Sequence, residues 1–411
     1  MKNPSVEIRY AGACDGMKIL VVCQYYYPEP FRITDICETL AQKGHKVTVL
    51  TGLPNYPEGI VHEDYRNGKK RDEILNGVRV IRCFEIGRGS SHLRLFLNYF
   101  SYAASATIKA LFMREAFDVI FVNQLSPIMM AIPAMAYKKR HHTKILLYCL
   151  DLWPDSLAAG GIQEGSLIYN LFLKISKWIY NAADATLVTS SMFRVYFENT
   201  LGIESDKIVH LPQYAEDFFS QFLYKGEGDK YNFVFAGNIG DMQSVDTLIK
   251  AAGELRRHPN IIFHIVGDGS KAGECSQMAK ELELNNVVFH GRRPVEEMPS
   301  FYEMADAMLI TLKDNKTLSY TLPGKIQSYM AAGKPVIGAI NGETRRVIEK
   351  SGCGLCCAAE DYIGLADLIL EFCKSDNKRQ MAENAYNYYN NNYSKERFIS
   401  SLENALLDLE G

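Results

Sequence analysis

"MKILVVCQYYYPEPFRITDICETLAQKGHKVTVLTG", Met17–Gly52, decides the fold class. It opens with a short apolar run that ends in Tyr and Pro residues, the pattern of a buried parallel strand and its turn. Ile33, Ile36, Leu40 and Ala41 then recur at helical spacing, and Gly44 stands where a helix C-cap is expected. "KVTVLTG" is a second strand. One strand, one helix and another strand in 36 residues is a parallel crossover unit, so the class is α/β.

Outward from this unit the alternation repeats. "FDVIFVN" and "KILLYCL" are strands separated by a helix over residues 128–139, and "DATLVTS" follows a helix over 168–182. "HLPQYAEDFF" (His210–Phe219) and "YKGEGDK" break the rhythm. A second series then runs "YNFVFAG", "IIFHIVGDG", "NVVFHG", "DAMLITL" and "PVIGA", each strand followed by helical sequence. The chain of 411 residues is long enough for two domains at roughly 100–200 residues each. The expected organisation is an extension over 1–16, a doubly wound Rossmann-like domain over 17–215, and a second over 216–393. A helix over about 394–411 is expected to cross back to the first. Two such domains are expected to face a cleft, with ligands beyond the carboxyl ends of the strands.

Net charge is −3, which argues against a nucleic-acid partner. Residues 1–215 hold 24 Lys and Arg against 20 Asp and Glu, and the remainder 21 against 28, so the first half is the better match for an anionic surface. The ten Cys are scattered and read as free thiols; Cys353, Cys356 and Cys357 lack a second C-x-x-C pair or a spaced His pair, so no metal is expected. No run of about 18 apolar residues spans a membrane. The nearest, Leu93–Phe112, reads as an amphipathic helix facing a core, with a helix lying on a bilayer as the alternative.

"SYTLPGKIQSYMAAGKPVIG" (Ser319–Gly338) contains two Gly-Lys pairs, but neither has the spacing or hydroxyl of an ATP-binding loop. No G-x-G-x-x-G with a later acidic residue supports a redox dinucleotide. Lys325 follows a Pro-Gly turn near a helix start, where its ammonium joins free backbone N–H groups. Lys334 reads as a solvated turn residue.

Six stretches in order resemble bacterial glycosyltransferases of family 4: "YYYPEPFRITDICETLAQKGHKVTVLTGLPNYP", "DLWPDS", "FAGNIGDMQSVDTLIKA", "IVGDG", "FHGRRPVEEMPSFYEMADAMLITL" and "PGKIQSYMAAGKPVIG". "PEPFR" and "DLWPDS" are similar to the L-fucosamine-type transferases of O-antigen and capsule assembly. The resemblance implies a GT-B fold and retaining, metal-independent transfer from a UDP-sugar, with no separate cofactor. The sugar it implies is an N-acetyl or 6-deoxy hexosamine. The implied acceptor is a saccharide, carried on a polyprenyl diphosphate. The implied location is cytoplasmic, at the inner membrane face, with an anionic membrane surface as a further partner.

On the donor side the resemblance points to Gly237, Asn238, Gly240, Gln243, Gly267, Asp268, Gly269, Arg292, Arg293, Pro294, Tyr320, Pro323, Gly324, Lys325 and Ser328. On the acceptor side it points to Pro30, Arg32, Asn55, Tyr56 and Asp155, with Asp151 as the carboxylate near the chemistry. The other reading of Asp151 is the N-cap of the following helix. The sequence departs from the family in two places. Asn238 and Gln243 stand where many members have Arg and Lys, and Tyr320 and Ser328 where many have two Glu. Lys325 is the expected substitute cation. A nucleotide-sugar epimerase and a non-catalytic sugar-nucleotide-binding partner remain alternatives.

Overall fold

The computed structural model describes residues 16–89, 91–159, 161–216, 219 and 230–410. The 1–16 extension, save Gly16, and all of the 220–229 stretch lie outside them.

Fourteen strands are described: β1 (Lys18–Val22), β2 (Lys46–Thr51), β3 (Asp72–Leu75), β4 (Val78–Arg82), β5 (Val119–Gln124), β6 (Lys144–Cys149), β7 (Ala185–Val188), β8 (Ile208–His210), β9 (Tyr231–Ala236), β10 (Ile261–Val266), β11 (Val287–Gly291), β12 (Ala307–Thr311), β13 (Val336–Ala339) and β14 (Gly354–Cys357). They form two sheets of order β3-β4-β2-β1-β5-β6-β7-β8 and β11-β10-β9-β12-β13-β14. β1 pairs in parallel with β2 and β5, and β9 with β10 and β12. Both sheets are thus doubly wound, and strand order reverses beside β1 in one and beside β9 in the other. Ligands bind such sheets at that reversal.

The apolar runs explain the burial. Every residue of β5 and β12 is buried, as expected of strands covered on both faces. The antiparallel β3–β4 hairpin was absent from the sequence expectation. Its turn, Asn76-Gly77, has φ of 49° and 85°, the left-handed pair a tight hairpin needs.

The described chain divides into two compact units. One holds residues to Trp153, Leu171–Thr186 and those from Glu403; the other holds Pro154–Asn170 and Leu187–Leu402. The sheet changes between β8 and β9, around the boundary read at 215. Compactness instead groups 187–215 and the segment carrying Asp155 with the second unit. The Lys395–Glu410 helix ends in the first unit, where Glu403 accepts from Lys43 and His45.

The His92–Phe112 helix corrects a second expectation. It turns Asn98, Tyr102, Ala106 and Ala110 inward and leaves Leu93, Phe96, Leu97, Phe100, Ile108 and Phe112 exposed, Leu93 at 69% and Phe112 at 74%. Alanines, Asn98 and Tyr102 face the core, and the Leu and Phe side chains do not.

Candidate functional site

In the second unit the glycine loops after β9, β10 and β11 are tied edge to edge. Gly237 N–H donates to Val266 O, Gly267 N–H to Gly291 O and Ile239 N–H to Asp268 O, each at 2.9 Å. Gly267 has φ of 142°, and a Cβ there would lie 1.8 Å from Gly237 O, so neither the backbone nor the space admits a side chain.

The Gly324–Ala331 helix packs its start against the end of β9. Tyr329 is wholly buried; its hydroxyl accepts from Ala236 N–H at 3.2 Å and donates to Ala236 O at 3.1 Å. Lys325 lies four residues earlier, on the same helix face. Its Nζ stands 4.1 Å from the centre of the Phe235 ring, and a Cβ on Gly237 would approach it to 3.1 Å. The ammonium is buried and has no hydrogen-bond acceptor among the described residues. Burial pushes its pKa down to about 7. Part of the side chain remains exposed, but the nitrogen itself is covered.

The neighbouring cations are engaged. Lys313 pairs with Asp241 at 2.7 Å and Lys271 with Glu274 at 2.7 Å. Asn238 donates to Gln243 Oε1 at 3.2 Å, so these two neutral residues bond to each other. Arg292, Arg293 and Pro294 are exposed just after β11; Arg293 donates to His290 O at 3.0 Å and lies 3.8 Å from Glu297. Pro323 precedes the helix as its N-cap residue and Gly324 begins it.

Tyr320 and Ser328 have acquired other partners. Tyr320 O accepts from Ser190 Oγ at 2.5 Å, and its ring lies 6.4 Å from that of Tyr196. Ser328 Oγ lies 3.4 Å from a carboxylate oxygen of Glu216. Asp155 Oδ1 accepts from Tyr169 OH at 2.5 Å, and burial raises its pKa.

Lys334 is not solvated. It is 2% exposed and donates to the carbonyls of Glu303 and Ala305, at 3.1 and 2.9 Å. It closes the end of the Met298–Met304 helix.

In the first unit Asp151 follows β6. Its Oδ2 accepts from Ser126 N–H at 3.0 Å and Ser126 Oγ at 2.9 Å, and Trp153 Nε1 donates to the same hydroxyl at 2.9 Å. The carboxylate therefore braces the loop after β5 and does not cap the next helix. Its Oδ1 accepts no hydrogen bond among the described residues. Burial raises the Asp151 pKa against the lowering by Ser126. Arg32 precedes the Ile33–Gln42 helix, and Pro30 is exposed beside it. Tyr56 is partly exposed, with its ring 5.3 Å from Phe31.

Asn55 does not line a surface. It is 2% exposed; its side chain donates to Leu53 O and accepts from Arg88 N–H. Two carboxyl groups that the sequence reading missed surround it. Glu29 accepts from the backbone N–H groups of Tyr26, Asn55 and Tyr56. Glu85 accepts from Gln24, Asn98 and Leu53 N–H. Burial pushes Glu29 up to about 7 and Glu85 up to about 8. Together they pin the loops after β1, β2 and β4. A lone acid beside an apolar strand was the available sequence signal, and it names no partner.

Among the described residues no three His, Cys, Asp or Glu are grouped to hold a metal ion. Cys353 is buried and Cys356 and Cys357 are partly buried free thiols at β14.

Two Rossmann-like α/β units with a lysine and glycine loops at a strand-order reversal define a GT-B glycosyltransferase architecture. Two family patterns cover most of the chain: "Glycosyltransferase Family 4" over residues 32–213 and "Glycosyl transferases group 1" over 219–388. The chain belongs to this glycosyltransferase family. It is 25% identical to a putative colanic acid biosynthesis glycosyl transferase, WcaI, of Escherichia coli K12, over 77% of this chain and 82% of that one. Its fold matches sucrose-phosphate synthase from Thermosynechococcus elongatus (TM-score 0.74, 15% identity, 96% and 99% of the two chains). It also matches Anabaena HepE in complex with UDP-glucose (TM-score 0.69, 16% identity, 95% and 100%).

Proposed function

We propose that the protein transfers a sugar, with retention, from a UDP-sugar to a saccharide acceptor carried on a polyprenyl diphosphate, in the assembly of a bacterial surface polysaccharide. The observation that carries the donor side is the buried, unpaired Lys325 ammonium beside Gly237. A diphosphate supplies the anion that this cation lacks, and the start of the Gly324–Ala331 helix adds N–H groups to the same end. The UDP-bound HepE fold and the colanic acid assignment of WcaI favour this donor and this setting. The hexosamine donor rests on the sequence resemblance.

In the reaction the anomeric carbon–oxygen bond to the diphosphate breaks and the acceptor oxygen bonds to that carbon from the same face. Lys325 stabilises the departing charge, the largest demand in such a transfer. The acceptor proton passes to the leaving phosphate or to Asp151, which has Oδ1 open. No metal enters this scheme.

Membrane attachment belongs to the proposal. Leu93, Phe96, Leu97, Phe100 and Phe112 are exposed along one helix, with Arg94 and Lys109 on it. The Lys138–His142 run contributes less than its sequence implied. Lys138 is tied to Asp184 at 2.6 Å, and Arg140 and His141 bond to the carbonyls of Leu111 and Met113. No helix among the described residues is long and apolar enough to cross a membrane.

The test is a panel of nucleotide sugars incubated with the enzyme and native membranes. A glycolipid product with one of them is expected, and its absence across the panel overturns the proposal. Flotation with anionic liposomes tests attachment: no binding at low salt rejects it.

A further inference from the structure

The first unit holds a second cation without an acid. Arg88 lies in the loop after β4, its own N–H fixed on Asn55 Oδ1 at 3.0 Å and its guanidinium 5.8 Å from the centre of the Tyr56 ring. It forms no ion pair among the described residues. The acids around it are otherwise occupied. Glu29 holds the N–H groups of Tyr26, Asn55 and Tyr56, and Glu85 holds Gln24, Asn98 and Leu53. Asp151 turns Oδ2 to Ser126. Burial keeps Glu29 and Glu85 substantially protonated near neutral pH, so they offset the Arg88 charge weakly.

A separate observation lies beside it. Tyr25 is 4% exposed and stacked on Phe31 at 5.0 Å; its buried hydroxyl has the Tyr99 hydroxyl as neighbour and makes no hydrogen bond within 3.5 Å among the described residues. Arg88 and Tyr99 both act electrostatically on Tyr25, and Arg88 and Asp151 both act on Tyr99. A guanidinium over the Tyr56 ring with no acid partner, and the neighbouring Tyr25 and Tyr99 hydroxyls, bring hydrogen-bond donors together near the carboxylate assigned to the acceptor. Guanidinium forks match the oxygens of carboxylates and phosphates.

We propose that Arg88, with the Tyr25 and Tyr99 hydroxyls, is an oxyanion subsite for the acceptor, taking either its diphosphate or the carboxylate of an acidic sugar. This rests on the transferase reading above and adds to it a determinant of which acceptors are accepted.

The test uses the full chain with Lys325→Met as background, so that anions at the donor side do not contribute. Farnesyl diphosphate, farnesol and methyl glucuronide are titrated calorimetrically; UDP is titrated in parallel on chains that keep Lys325. Arg88→Ala is expected to weaken one anionic probe tenfold or more, and Tyr25→Phe several-fold. Farnesol binding is expected to be unchanged, as is UDP binding by the same variants with Lys325 present. Loss confined to farnesyl diphosphate assigns the subsite to a diphosphate, and loss confined to methyl glucuronide to a uronate. Arg88→Lys and Arg88→Gln, both polar side chains that keep part of the original stem, guard against misfolding: the Lys variant should recover part of the affinity and the Gln variant none. The subsite is overturned if neither anion binds the Lys325→Met background, or if Arg88→Gln binds both as tightly as that background. A failed donor reading shows differently, as UDP affinity unaffected by Lys325→Met.

Discussion

Replacing Lys325 by Met separates a lysine kept for structure from one kept for an anion. Met retains the length of the stem and drops the charge. The folded pKa is about 7 against an ordinary 10.5, a depression of about 3.5 units, because the ammonium is buried. At about 1.4 kcal/mol per unit that is a cost of about 5 kcal/mol for holding the charge in the folded chain. The Phe235 ring offsets about 1–2 kcal/mol of it. A net cost of about 3 kcal/mol is left. Below pH 7 both folded and unfolded chains carry the proton, and the full cost applies. Between pH 7 and 10.5 the unfolded chain binds more protons than the folded one, so wild-type stability rises with pH. Above 10.5 the cost is gone. Lys325→Met should therefore be the more stable protein at pH 7, by roughly 5 °C or more in Tm, and its advantage should shrink toward pH 10. The same variant should bind UDP about 10- to 100-fold more weakly, the worth of a charge-assisted hydrogen bond. At pH 8 the wild-type amine is mostly neutral, and a bound diphosphate recharges it. Calorimetry in two buffers of different ionisation enthalpy should show proton uptake that the variant lacks. The reasoning fails if Lys325→Met is less stable than wild type at pH 7 and binds UDP with unchanged affinity and proton uptake.

Tyr329→Phe leaves the donor and acceptor of Ala236 unsatisfied in the core. It should lose about 1–3 kcal/mol in urea unfolding, and a loss below about 0.5 kcal/mol refutes the bracing role. Asp151→Asn preserves the shape and the Ser126 contacts. If Oδ1 takes the acceptor proton, kcat should fall about 100-fold with UDP affinity unchanged; an unaltered kcat leaves proton removal to the leaving phosphate. Glu85 has its pKa raised from 4.5 to about 8 by burial, with the Glu29 charge adding to it. Its contribution to stability is complete below pH 4.5 and is lost as pH rises through 8, so the Tm of Glu85→Gln relative to wild type should climb between pH 5 and 8. A pH-independent difference would show that Glu85 stays ionised throughout.

The alternation of apolar runs and helical faces gave both doubly wound sheets, because strands covered on two sides must be continuous in apolar residues. β5 and β12 show this, buried at every position. The β3–β4 hairpin was missed although "ILNGVRV" carries its Asn-Gly signal. The reason is physical. Ile74 is 75% exposed, and β3 lies at the sheet edge, so no alternating apolar face announces the strand. The His92–Phe112 helix misled for the opposite reason. Apolar periodicity locates the faces of a helix but does not say which one meets protein, and here alanines and Tyr102 do.

The two Gly-Lys pairs carry the same lesson into the site. Both lysines end near buried backbone, and sequence distinguishes them only by neighbours. Lys334 follows a helix and finds the free carbonyls of Glu303 and Ala305, acceptors that any helix end leaves over. Lys325 begins a helix, and that end offers N–H groups, which repel its ammonium rather than satisfy it. A lysine at a helix start is thus costly unless something negative arrives. That asymmetry, rather than the glycine before each lysine, is what separates them. The proposed donor role of Lys325 bears on the departures at Asn238 and Gln243. Asn238 and Gln243 are two neutral amides bonded to each other in the loop after β9, and on the donor reading proposed above the charge they do not supply comes from Lys325, on the helix that Tyr329 holds through its paired bonds to Ala236.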